Sequence, residues 1–284
     1  MKTFIEILKG MLIGTANVIP GVSGGTIAVV TGIYDKLIDA INSIIKHPIK
    51  TIKEIWMYIV GLIIGIIFAV FVVTHLLQNY EIQTTALFVG LIIGALPLVI
   101  KNIENKKVKP IDITVFIIMM IIVIGLPFFS MMGKTSTDVN TNPILMCIIG
   151  AVSAATMIIP GVSGSMFLMT IGYYQKVMGL VSSTIKSIIT LNISEFFTNF
   201  IILLPFAIGV LIGIILIAKL IKWLLSKYNK TMHWAILGLV VSSPFAVIMN
   251  VNLANSTIVT ILISIVTFGI GYYSANVLSK LGKW

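Results

Sequence analysis

Six stretches of the chain, residues 55–77, 84–100, 111–131, 197–221, 233–250 and 256–279, run apolar for about the length of a bilayer crossing. Hydrocarbon offers backbone amides no water, so these runs are expected as helices that satisfy their own amides. The charged coat of a soluble globule is missing: 10% of the residues are charged and 58% are hydrophobic, whereas soluble domains carry about 25% charged residues. The expected fold class is an all-α integral membrane protein, with the lipid bilayer as its main solvent.

Two further apolar regions, 4–45 and 143–190, are each split by turn-forming residues, and the split is the same in both. Residues 19–24 read Ile-Pro-Gly-Val-Ser-Gly, and residues 159–164 repeat that hexapeptide. At this offset of 140, ten of the 27 positions from 10 to 36 are identical, among them Gly10/Gly150, Gly32/Gly172, Tyr34/Tyr174 and Lys36/Lys176. An offset of 148 then pairs Gly61 and Gly65 with Gly209 and Gly213, and Gly90 with Gly238. The chain therefore reads as two repeats, 1–140 and 141–284, each a broken segment followed by three spans.

The lysines indicate how the broken segments sit. All 19 basic residues are Lys. If each broken segment is re-entrant, the N-terminus, 36–53, 101–110, 219–233 and the C-terminus share one side with 16 lysines, and Lys134, Lys176 and Lys186 lie on the other. If each crosses instead, the split is nine against ten. Cytoplasmic loops concentrate basic residues, so re-entrant helical hairpins at 4–45 and 143–190 are expected, with both termini cytoplasmic. Three spans per repeat then turn the second repeat upside down, the inverted-topology plan of many transporters. Lysines spaced between spans also explain the net charge of +10 without a nucleic-acid partner. Trp56, Trp223, Trp234 and Trp284 fall near the same boundaries, where indole rings are favoured. Lys2 and Lys9 precede an apolar stretch as in a signal peptide, but the Pro-Gly-Val-Ser-Gly break interrupts it, so the segment is expected in the mature protein.

The repeated loops carry the candidate chemistry. Pro20 and Pro160 stop an incoming helix, and Gly21 and Gly161 admit backbone angles that other residues resist. Ser23 and Ser163 are placed to cap a following helix, and residues 22–34 are expected to return about 20 Å as that helix. Copy one continues Gly24-Gly25-Thr26 and copy two Gly164-Ser165-Met166. Irregular backbone at membrane depth survives only within protein or along a polar cavity, and its free N–H groups at a helix start attract anions. Both loops are expected to face one anionic group. A small-anion channel or exchanger using the same half-helix loops is the alternative reading.

Elsewhere the chemistry is thinner. Gly10/Gly14, Gly61/Gly65, Gly90/Gly94 and Gly209/Gly213 have the spacing of close helix packing. Tyr34 and Tyr174 are expected as interface anchors. His75 and Glu81 bracket the short loop after the first span and are candidates for a gating or coupling role. Catalysis is not expected: there is no Arg, the three His do not cluster, and the single Cys147 lies in an apolar run. No cofactor or metal site is expected either. The oligomeric state is left open.

The paired hexapeptides, the Gly-Thr after the first, and the Gly-Leu-Ile-Ile-Gly…Pro97 pattern resemble the bacterial polyprenyl-phosphate transporter family nearly end to end. The resemblance implies a plasma-membrane transporter, or flippase, that returns undecaprenyl phosphate from the outer to the inner leaflet for reuse in cell-wall synthesis. By motif it places residues 19–26 and 159–165 around the phosphate head, with Asn17 as a polar neighbour in copy one. Met157 and Met166 replace Asn17 and Thr26 in copy two, so the second loop is expected to bind less strongly.

Overall fold

In the computed structural model every regular element is helical among the described residues, which are 2–18, 22–101, 103, 108–132, 141–249, 251 and 256–281. The first half contains α1 (Lys2–Val18), α2 (Gly24–Val30), α3 (Tyr34–Ser43), α4 (Pro48–Phe68), α5 (Thr74–Asn79), α6 (Glu81–Lys101) and α7 (Pro110–Met132). A π-helical turn over Ala69–Val73 joins α4 to α5. The second half contains α8 (Pro143–Ile158), α9 (Gly164–Thr170), α10 (Tyr174–Ile189), α11 (Ile193–Lys227), α12 (Asn229–Ile248) and α13 (Ile258–Leu281). Five helices, α4, α6, α11, α12 and α13, are long and apolar enough to cross a bilayer among the described residues. The sixth expected run, 111–131, coincides with α7.

Two expected lengths need correction. The returning arm after the first hexapeptide, expected over 22–34, is a helix of only seven residues, α2, and its counterpart α9 is as short. Each ends at a glycine in the left-handed region, Gly32 at φ +71° and Gly172 at φ +76°. The amides of Ile33 and Tyr173 reach back to the carbonyls of Ala28 and Leu168 at 3.0 and 2.9 Å. This is the Schellman stop, which a residue without Cβ permits. The seven residues rise about 10 Å, half the expected reach. In the other direction, α11 has 35 residues and exceeds the expected 197–221. The Asn192 side chain accepts the Glu195 amide at 3.2 Å and starts the helix early.

Glycine contacts fix how the helices cross. A Cβ on Gly61 would lie 2.1 Å from the Ile7 carbonyl oxygen, and one on Gly65 2.1 Å from that of Met11. In the second half, Gly209 meets the carbonyl of Cys147 and Gly213 that of Ala151. These partners are related by the offsets of 140 and 148 seen in the sequence. Gly10 against Tyr58 and Gly150 against Phe206 follow the same rule. Backbones this close gain dispersion along the whole crossing, the usual means of helix association in lipid. The later spans trade partners between halves. α6 packs on α13 and α7 packs on α12, with Gly90 against Phe268 and Gly238 against Phe116. Asp112, fully buried at the start of α7, ties that pair together. It accepts bonds from the Thr231 hydroxyl at 2.8 Å and the Lys109 amide at 2.9 Å, and pairs with Lys230 at 3.0 Å.

α3 is amphipathic. Tyr34, Leu37, Ile38 and Ile41 fall at i, i+3, i+4 and i+7, a stripe that turns inward. Asn42 donates to the Ala218 carbonyl of α11 at 2.9 Å, so a helix of the first half lies against a span of the second.

Candidate functional site

The two hexapeptide loops meet. Ser23 takes extended angles, φ −99° and ψ 125°, and its hydroxyl oxygen accepts the Thr26 amide at 3.4 Å as the cap of α2. The same hydroxyl donates to the Ile159 carbonyl of the other loop at 3.3 Å. Thr26 is fully buried, and its Oγ1 accepts the Gly161 amide at 2.6 Å. Gly161 sits at φ +80°, a turn for which glycine is suited. Gly25 lies against the C-terminal end of α8: a Cβ there would be 2.6 Å from the Ile158 carbonyl oxygen. In this arrangement the polar groups of Ser23, Thr26 and Gly161 hold one loop to the other. A hydroxyl or amide sealed from water pairs with the nearest acceptor. Thr26→Val should leave the Gly161 amide without its acceptor and lower stability by about 1–3 kcal/mol, read as a drop in thermal midpoint in detergent.

Copy two is built alike but filled differently. Ser163 takes nearly the same angles, φ −104° and ψ 126°, yet makes no cap bond. Its hydroxyl pairs with that of Ser165 at 2.8 Å instead. Position 17 and its counterpart 157 both lie over the first residue of the short helix. A Cβ on Gly24 would be 2.3 Å from Asn17 Oδ1, and one on Gly164 2.4 Å from Met157 Cγ. The same packing place is therefore polar in one copy and apolar in the other. Gly21 lies outside the described residues.

Beside the joined loops is a cavity of about 300 Å³, partly open. Its polar end is formed by Asn17, Gly24 and Gly25, and Ala154, Met157 and Ile158 close it from the second half. Its walls are almost wholly apolar: Leu37, Ile38 and Ile41 of α3, Leu62 of α4, Val210 and Ile214 of α11. Ser163, Gly164 and Ser165 do not line it. The Asn17 side chain has no hydrogen-bond partner among the described residues, nor do the amides of Gly24 and Gly25, which open α2. With seven residues α2 has little macrodipole, so these amides and the Asn17 carboxamide are what an anion would meet.

Tyr34 corrects the expected interface anchor: it is 5% exposed and forms part of the cavity wall, while Tyr174 is half-buried. The apolar stripe of α3, with Tyr34 as its first member, was the signal for this position. On α1, Lys9, Ile13 and Asn17 share a face at four-residue spacing, and Lys9 is 6% exposed with no ion pair among the described residues. Lys36 bridges Glu6 at 3.7 Å and donates to the Tyr58 hydroxyl at 3.2 Å. His75 is exposed on α5, with its ring 3.4 Å from the Asn79 side chain. Glu81 opens α6 and is half-buried; neither residue lines the cavity. No group of three or more His, Cys, Asp or Glu able to hold a metal occurs among the described residues.

An all-helical chain with several spans, and with two breaks joined beside an amphiphilic cavity, defines a multi-pass membrane protein. The chain belongs to the undecaprenyl phosphate translocase-like family, whose pattern matches residues 13–262. It is 33% identical over 291 aligned residues to the polyprenyl-phosphate transporter of Staphylococcus aureus, covering 98% of this chain and 96% of that one. It is 31% identical over 250 residues to the polyprenyl-phosphate transporter of Vibrio cholerae, covering 83% of this chain and 74% of that one. No solved structure matches.

Proposed function

We propose that the protein transports polyprenyl phosphate, moving undecaprenyl phosphate from the outer to the inner leaflet of the bacterial plasma membrane so that the carrier re-enters cell-wall synthesis. The observation that carries this reading is the cavity: amides and a carboxamide without partners among the described residues at one end, hydrocarbon walls along the rest. Such a lining suits a molecule with a charged head and an apolar tail. A lone chloride would leave the walls without a partner, whereas 300 Å³ holds a phosphate and the start of a chain. The names of the two relatives point the same way. A phosphate cannot cross hydrocarbon bare, but the tail can stay in lipid while the head passes through protein.

The mechanism we infer uses two inverted repeats with re-entrant hairpins at 4–45 and 143–190. Its support is the corresponding glycine registers and the exchange of α7 and α13 between halves. The head binds at Asn17, Gly24 and Gly25. Ser23, Thr26 and Gly161 hold the loops in register, and Gly21, Ser163, Gly164 and Ser165 receive the head when the halves rock to the opposite face. By the lysine distribution the α3 side is cytoplasmic, so the present cavity serves the inner leaflet. His75 and Glu81 lie at the far face, placed for gating. No catalytic step is part of this reading.

Purified protein in liposomes with labelled undecaprenyl phosphate tests it. Faster exchange of the phosphate between leaflets than in protein-free vesicles is expected, with no chloride flux. Chloride flux without lipid exchange would favour the channel reading instead.

A further inference from the structure

We infer that Tyr34 is a ligand of the phosphate head, an assignment that rests on the transport reading above. Its hydroxyl is closed off from solvent and has no hydrogen-bond partner among the described residues. The residue is 5% exposed and shares the cavity wall with Asn17 and Gly24. A sealed hydroxyl without a partner is costly, and proteins keep few of them. Leu37, Ile38 and Ala28, which line the same cavity, are aliphatic and carry no side-chain acceptor. An occupant whose acceptor oxygens draw the phenol toward this cavity supplies what the protein lacks. A phosphate monoester does so, with several oxygens for the phenol, the Asn17 carboxamide and the amides of Gly24 and Gly25. The cavity lining contains no Lys or Arg, so neutral donors of this kind contribute the head's coordination there.

Tyr34 also separates the two copies. Its counterpart Tyr174 is half-buried, and neither Tyr174 nor Ser163 lines the cavity. The tyrosine contact therefore belongs to the conformation in which the α3 side holds the head.

The test is ligand binding by the purified full-length chain in nanodiscs, comparing wild type, Tyr34→Phe and Tyr174→Phe. Three probes are titrated: undecaprenyl phosphate, undecaprenol, which lacks the phosphate, and inorganic phosphate. Wild type is expected to bind undecaprenyl phosphate more tightly than either of the others, and Tyr34→Phe to bind it about ten-fold or more weakly, as loss of a bond to a charged acceptor implies. Tyr174→Phe retains affinity. Without ligand, Tyr34→Phe melts at the wild-type temperature or higher, because it discards an unpaired group. Equal affinity of Tyr34→Phe and wild type overturns the assignment while leaving the transport reading intact. So does a lower unliganded melting point for Tyr34→Phe, which would give the hydroxyl a structural partner, or an equal loss in Tyr174→Phe. Tighter binding of inorganic phosphate than of the lipid by wild type overturns the assignment to a lipid head. No binding of any probe by wild type counts against the transport reading itself.

Discussion

Gly25→Val stops transport while leaving the protein in the membrane at its normal level. The added Cβ would stand 2.6 Å from the Ile158 carbonyl oxygen and 3.2 Å from the Ile159 carbonyl carbon. These are backbone atoms and cannot swing aside, so the loops must part. Parting breaks the Ser23 bond to Ile159 and the Gly161 bond to Thr26. Each buried group left unpaired costs about 1–3 kcal/mol. Together they cost about 2–6 kcal/mol, and about 3 kcal/mol is already roughly 100-fold in the population of the joined state. Membrane insertion depends on the apolarity of the spans, which the substitution does not alter. Leaflet exchange in liposomes should fall by about two orders of magnitude at equal protein content. Gly179→Ala serves as control, since no atom lies within 4 Å of a Cβ there. Normal exchange by Gly25→Val would show that contact between the loops is not needed for transport.

Gly209→Leu has the second large effect, and it falls on folding. A Cβ at Gly209 would lie within covalent-like range of the Cys147 carbonyl oxygen, at 1.9 Å. α8 and α11 would have to separate along their crossing, with the loss of the Gly213–Ala151 and Gly150–Phe206 contacts. Overpacking of a few tenths of an ångström costs about 1–3 kcal/mol. Here whole backbones must move, and the loss is expected to exceed about 4 kcal/mol, most of the stability of a domain near the low end of the usual range of about 5–15 kcal/mol. Size-exclusion chromatography in detergent should show aggregate in place of a single peak. Gly269→Leu, on the exposed side of α13 with nothing within 4 Å, should elute as wild type.

The part of this architecture written plainly in the sequence is the part set by local patterns. Apolar runs gave the spans, and glycines at offsets of 140 and 148 gave crossings whose partners, Ile7 with Gly61 and Cys147 with Gly209, obey the same offsets. Gly32 and Gly172 were visible as repeated glycines, but their role as stops depended on a left-handed angle that spacing alone does not announce. The length of α11 was hidden by Ser194, Glu195 and its late lysines, polar residues that a hydropathy reading cuts away although they remain helical. Contacts across more than a hundred residues were not legible at all. The Thr26 oxygen takes the amide of Gly161, 135 positions away, a link that no local pattern announces. Tyr34 looked like an anchor because tyrosine favours membrane interfaces. The apolar stripe that it heads on α3, a helix packed against α11, turns it inward instead.

The central claim is that the two hairpins enter from opposite faces of the membrane and join at one head-group site. Single cysteines at Lys46, just past α3, and at Thr190, just past α10, in a Cys147→Ser background, test it most directly; both native residues are exposed. In intact cells an impermeant maleimide should label position 190 and spare position 46 until the membrane is opened. Labelling of both positions from the same side would contradict the inverted arrangement and the alternating site built on it.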